Sequence, residues 1–280
     1  MRRPGWRIRA RRLGFGLSTL FGVGDCGFFI PYRFAAGVKP SGYPALERLF
    51  RAGEPGYRTV LSRIESYGPE LLDIHDGAGP ARFDQDWFPR LDAAAAYAIV
   101  REERPRRIIE IGSGHSTRFL ARAVADGGLA TDILAIDPQP RASLESLRVS
   151  HHATVLERAD SALFAALEPA DILFVDSSHI AMPGTDLDRI LGDILPRLRP
   201  GILVHIHDIL LPDAYPPEWR WRGYNEAIPI AALLQGEGYE IVFSSHWVAS
   251  RWPERLAQGC IERLPLRPGA RETSLWLRKR

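Results

Sequence analysis

A short apolar run that meets a glycine turn and passes straight into a helix leaves this chain few folds to choose from. The run is Arg107-Ile-Ile-Glu-Ile, the turn is Gly112-Ser113-Gly114, and residues 116–124 are compatible with a helix. Buried parallel strands read as continuous apolar runs. A glycine turn between such a strand and a helix lets a nucleoside cofactor lie against bare backbone. Many α/β proteins use a Gly-x-Gly turn only for tight packing, so its meaning rests on the downstream strands.

A second apolar run, residues 132–136, closes on Asp137, 23 residues after Gly114. That is about the distance at which a carboxylate at the tip of strand two reaches a ribose diol. Residues 154–158 read as a third strand ending near Asp160. This acid has two readings: it reaches an adenine amino group, or it caps a helix from Ser161. The fourth and fifth runs, residues 171–176 and 201–208, finish on Asp176 and on His207-Asp208. Ligands of open α/β sheets sit at the carboxyl ends of the strands, so chemistry is expected there. A helix over residues 225–235, a strand over 239–244 and a last strand over 273–277 complete the pattern.

With that tail the sequence resembles the class I S-adenosylmethionine (SAM) methyltransferases over roughly residues 86–280. Its strongest elements are Glu110-Ile-Gly-Ser-Gly, Asp137, Phe174-Val-Asp-Ser-Ser-His179 and His207-Asp208. The last two resemble a bacterial subgroup similar to sugar and antibiotic O-methyltransferases, some of which use Mg²⁺ or another divalent cation. The resemblance implies an α/β, Rossmann-like sheet, mostly parallel with a final antiparallel strand. It implies SAM held by Glu110, Gly112, Ser113, Gly114, Asp137 and Asp160. Glu110 has a structural alternative, a hydrogen bond within the glycine loop. An NAD(P)-dependent oxidoreductase shares the first half of the pattern, but Thr117 stands where the dinucleotide fingerprint has its third glycine. A SAM-fold protein without activity, serving as a partner subunit, is the other alternative.

Methyl transfer to a hydroxyl needs the acceptor aligned and its proton weakened or removed. Asp176, His179, His207 and Asp208 are the candidates, and three readings stay open. Asp176, His207 and Asp208 hold a divalent metal; or His179 is a metal-free base, with Asp176 and His207 beside it; or His207-Asp208 only caps a strand end. His205 is read as a core histidine, and His151-His152 as surface residues at the wrong edge for catalysis. Tyr224-Asn225-Glu226 resembles a Trp-Asn-Glu segment of the subgroup, with Asn225 alternatively a helix cap. Tyr215, Trp219 and Trp221 precede it as an aromatic wall or a packed lid.

A formal net charge of +2 gives no global field for nucleic acid, and a small-molecule acceptor is expected. Two distant cysteines make neither a disulfide framework nor a metal motif, which suits a reducing cytoplasm. Residues 1–85 are read as an N-terminal basic, aromatic segment and helical cap, and residues 86–280 as the SAM-binding domain. Within the first part, residues 45–52 and 57–67 have helical spacing, and the segment Phe28–Arg33 is expected to pack across the catalytic domain. The rival reading is contact of residues 1–30 with an anionic membrane surface, making the protein membrane-peripheral. Glycines and Asp25 break the apolar stretch too often for a spanning helix. A homo-oligomer is left open.

Overall fold

Apolar runs with both faces covered by helices become the central strands. The computed structural model describes residues 6–280. Its strands are β1 (Arg107–Ile111), β2 (Asp132–Ile136), β3 (Ser150–His152), β4 (Ile172–Val175), β5 (Leu203–Ile206), β6 (Tyr239–Ser244) and β7 (Leu275–Lys279). They form one sheet in the order β3-β2-β1-β4-β5-β7-β6. The first five strands pair in parallel, and β7 inserts antiparallel between β5 and β6. This is the mostly parallel Rossmann-like sheet with an antiparallel last strand that the sequence implied.

The helices begin with α1 (Trp6–Leu20), α2 (Glu47–Ala52), α3 (Glu54–Ser66), α4 (Gly68–Asp76) and α5 (Arg90–Glu103). Next come α6 (His115–Asp126), α7 (Ser161–Ala165), α8 (Asp186–Arg189), α9 (Leu195–Arg197) and α10 (Ala227–Leu233). The alanines at positions 93–96 of α5 are all buried. Without bulk there, α5 lies close against α6 and α3. Helices α2 and α3 cover the β6 side of the sheet, where Phe50 stacks on Trp247 and Tyr57 meets Phe243 edge-on.

Asp92, in the first turn of α5, is fully buried. Its carboxylate accepts the backbone N–H groups of Thr273 (3.0 Å) and Ser274 (2.9 Å). Those two residues were expected to open the last strand, but their amides are committed to Asp92, and ladder pairing starts at Leu275. The third strand also departs from expectation. It is Ser150–His152, while Leu156–Arg158 form a 3-10 turn. An edge strand needs only backbone pairing, so the polar Ser-His-His segment serves, and the apolar Leu156 buries its side chain from the turn instead.

The segment around Phe28–Arg33 does not pack across the catalytic domain as expected. Phe28, Phe29 and Ile30 are 59%, 65% and 63% exposed.

Replacing Asp92 with Ala leaves buried amide donors unpaired at the start of β7. The variant should lose about 3 kcal/mol of stability, read by urea unfolding. A loss below about 0.5 kcal/mol, the range of an ordinary surface change, would contradict this role of Asp92 in holding β7.

Candidate active site

At the end of β1 the chain must turn within reach of β4. Gly112 does so at φ +80°, and a Cβ there would lie 1.9 Å from the carbonyl oxygen of Asp176. Only glycine fits that approach. Beneath the turn Glu110 is completely buried, and both of its oxygens are occupied. Ser116 and Thr117 each donate a hydroxyl hydrogen bond to it at 2.6 Å. Thr117 Oγ1 in turn accepts the Gly114 N–H at 2.9 Å. Of the two readings of Glu110, the structure shows the hydrogen bond within the loop. Burial raises its carboxyl to about 8, although the two hydroxyls pull the other way.

Asp137 closes β2 against the same loop. One oxygen accepts the Ser113 N–H (2.7 Å) and Ser113 Oγ–H (3.0 Å), and the other accepts the Gln139 N–H (2.7 Å). Its backbone oxygen meets His151 Nε2 at 2.8 Å. His151 and His152, expected ahead of strand three, belong to that strand. They are exposed as expected, and His151 steadies Asp137 from behind. Asp160 accepts the Ala162 N–H at 2.9 Å and is exposed. It caps α7.

The ends of β4 and β5 bring the other candidates together. His179 Nε2 lies 3.3 Å from Asp176 and 3.6 Å from Asp208. His207 Nδ1 lies 3.4 Å from Asp176 and 3.8 Å from Asp208. His179 (φ +61°) and Asp208 (φ +56°) both adopt the left-handed backbone region. Such strain in non-glycine residues costs about 1–3 kcal/mol each and gathers at functional sites. His205 has the core role expected of it: it is buried, stacks on Phe174 at 3.7 Å and meets Ser274 Oγ at 2.8 Å.

Sequence reasoning does not single out the two carboxylates behind the histidines. Glu226 is buried and accepts a hydrogen bond from His179 Nδ1 at 2.7 Å. Asp92, already bound to the start of β7, lies 3.4 Å from His207 Nε2. Asn225 does not cap α10. Its side-chain oxygen accepts the Ala181 N–H (2.7 Å), and its own N–H reaches the His179 carbonyl (3.2 Å), clamping the loop that carries His179. The signal for Glu226 lies in the Tyr-Asn-Glu segment. For Asp92 there is none beyond an acid in a helix start.

Each histidine thus sits between carboxylates. Burial alone pushes His179 down, but Asp176, Glu226 and Asp208 outweigh it and hold the imidazole well above its ordinary value. His207 obeys the same logic, with Asp176 and Asp208 overcoming burial. Burial pushes Asp176 up, yet His207 and His179 carry it well below the usual carboxylate range. These shifts favour a carboxylate flanked by protonated imidazoles. Among the described residues, no group of three or more His, Cys, Asp or Glu side chains is arranged to hold a metal ion. Asp176, His207 and Asp208, the set named in the metal reading, lie side by side, with His207 Nδ1 between the two carboxylates.

A narrow cleft of ≈ 80 Å³ opens on this edge, lined by Asp176, His179, His207 and Asp208 and walled by Trp87, Trp219 and Tyr224. Arg222 lies 3.4 Å from Asp208 and covers the Trp219 ring at 4.2 Å. Tyr224 packs against the His179 ring at 4.4 Å.

Residues 109–209 match a family model described as a methyltransferase domain. No curated protein matches the chain. Among solved structures it is similar to an SAH-bound methyltransferase of Podospora anserina, at 16% identity, covering 91% of this chain and 99% of that one, with a TM-score of 0.43. It is similar to an O-methyltransferase of Bacillus cereus in complex with SAH, at 14% identity over 79% and 90% of the two chains, with a TM-score of 0.39. A branched-chain polyamine synthase of Thermus thermophilus is similar at 16% identity over 77% of this chain and 64% of that one, with a TM-score of 0.43. Strand order agrees with the sheet that the sequence resemblance implied, and the matched segment runs from β1 to just past β5.

The glycine loop yields a sign-specific prediction. Folded Glu110 keeps a proton up to about pH 8 that the unfolded chain releases near 4.5. Stability from this group is therefore full below 4.5 and falls as pH rises, by about 1.4 kcal/mol per pH unit. Glu110→Gln mimics the protonated acid. In thermal unfolding it should match the parent near pH 5 and exceed it at pH 8.5; a parent that is the more stable at pH 8.5 would refute the assignment.

Proposed function

We propose that this chain transfers a methyl group from SAM to a hydroxyl of a small-molecule acceptor, without a metal. The observation that carries the reading is the adjacency of two devices at one sheet edge. The glycine loop with Asp137 ends β1 and β2, and the histidine–carboxylate cluster ends the neighbouring β4 and β5. Two features weigh against a dinucleotide enzyme. Strand β7 is antiparallel, and Thr117 fills the third-glycine position with a hydroxyl that braces the loop.

The loop suits SAM on donor and acceptor grounds. A carboxylate accepts about four hydrogen bonds, and Asp137 makes three. One acceptor site remains, and a second opens when the Ser113 hydroxyl rotates away, which matches a vicinal diol. Gly112, Ser113 and Gly114 would hold the rest through backbone, with Glu110 bracing them. When bound, SAM supplies a methyl group already made electrophilic by its sulfonium.

His179 is the base in this reading. Nδ1–H of His179 donates to Glu226, so a neutral His179 keeps its lone pair on Nε2, the nitrogen that faces Asp176 and Asp208. After His179 accepts the acceptor's proton, Glu226 on Nδ1 steadies the imidazolium, as the acid of a catalytic triad does, with Asp176 and Asp208 beside Nε2. Trp87, Trp219, Tyr224 and Arg222, which line the cleft, orient the acceptor.

Asp137→Ala should weaken SAM binding at least ~10-fold, the effect of losing hydrogen bonds to a charged group; unchanged affinity by calorimetry would remove the cofactor assignment. Transfer of labelled methyl to a panel of hydroxylated acceptors should survive EDTA, and loss restored by Mg²⁺ would contradict the metal-free route. The rate should rise with pH as His179 loses a proton above its ordinary range. Glu226→Gln removes a carboxylate that raises His179, so the rise should move to lower pH while the plateau falls ~10-fold or more. An identical pH profile would dismiss Glu226 as the orienting group.

A further inference from the structure

Most of the exposed large apolar side chains of the described chain lie between Trp6 and Val38. On α1, Trp6, Leu13, Leu17 and Leu20 recur at spacings of 7, 4 and 3 residues, which returns them to one helix face. All four are exposed. The same helix carries Arg7, Arg9, Arg11 and Arg12 and no acid. After it the chain presents Phe28, Phe29 and Ile30 to solvent. Arginines and aromatic rings are paired along this arm, with Arg11 over Phe15 at 5.1 Å and Arg33 over Phe34 at 4.8 Å.

Charge is divided as sharply as exposure. Residues 1–39 hold eight of the 36 Lys and Arg but one of the 34 Asp and Glu. The arm is therefore net +7 and the rest of the chain net −5. A soluble surface rarely leaves so much contiguous apolar area uncovered without a binding role. Two identical arms packed together would oppose like charges, whereas an anionic lipid surface satisfies both the arginines and the apolar side chains. Among the described residues no helix is long and apolar enough to cross a membrane, so the arm would lie on a bilayer.

We propose that residues 6–38 dock this protein on an anionic lipid bilayer, with α1 lying in the interface and the aromatic segment after it inserted among the headgroups. The arm borders a groove of ≈ 870 Å³ whose other wall includes Ile180, Met182 and Trp221. Arg222 lines both this groove and the reaction cleft. Docking thus holds the cleft beside the lipid surface. The inference does not rest on the methyltransferase reading.

The test is co-sedimentation of the full chain with vesicles of phosphatidylcholine alone or mixed with phosphatidylglycerol, at low and high salt. Binding should require phosphatidylglycerol and weaken with salt. The combined variant Arg7→Gln, Arg9→Gln, Arg11→Gln, Arg12→Gln should lower the partition coefficient about 1000-fold, from the contribution of each basic residue near such a surface. Phe28→Ser with Phe29→Ser and Ile30→Ser should also weaken binding. Both variants should unfold at the parent temperature, because none of these side chains is buried. Equal binding to both vesicle types, or to neither, would overturn the proposal. So would light scattering in which the variants only dissociate a dimer while vesicle binding stays unchanged.

Discussion

Asp92 is the constraint on which both the sheet and its reactive edge depend. Its carboxylate is fully buried and holds two successive amides just before β7. That fixes where the antiparallel strand begins between β5 and β6. Thr273, held in place this way, donates its hydroxyl to Asp208 at 3.2 Å. Asp92 also reaches His207. One acid in the first turn of a helix thus ties the last element of the chain to the centre of the cleft. A buried charge is retained at a cost in desolvation, and here its partners belong to both architecture and chemistry.

The same economy of partners governs the histidines. Neither ring is free: each has a carboxylate behind it and shares Asp176 in front. In a buried setting such arrangements either stay fully paired or become costly. This explains why the loop bearing His179 is clamped by Asn225 and why two residues tolerate left-handed backbone there. A shared Asp176 favours protonated imidazoles.

The parts legible in sequence were those with local causes. Apolar runs marked β1, β2, β4, β5 and β6, and the glycine pair marked the turn that Gly112 makes against Asp176. Asp176, His179, His207 and Asp208 were found because strand ends point to one edge. Elements governed by distant partners were not legible. Strand β3 is polar because an edge needs only backbone pairing, and β7 starts late because α5 captures the amides just before it. Glu226 and Asp92 stand 47 and 115 residues from the histidines they touch, so no spacing announced them. Phe28–Arg33 has the composition of a core segment yet lies in solvent, and its role turns on what it meets outside the chain.

Calorimetric titration of the full chain with S-adenosylhomocysteine and, separately, NADH tests the central claim most directly. Micromolar binding of the adenosyl product and no heat with NADH are the expected results. Binding of NADH without the adenosyl product would contradict the claim, because the loop of Gly112, Thr117 and Asp137 would then be reading a dinucleotide.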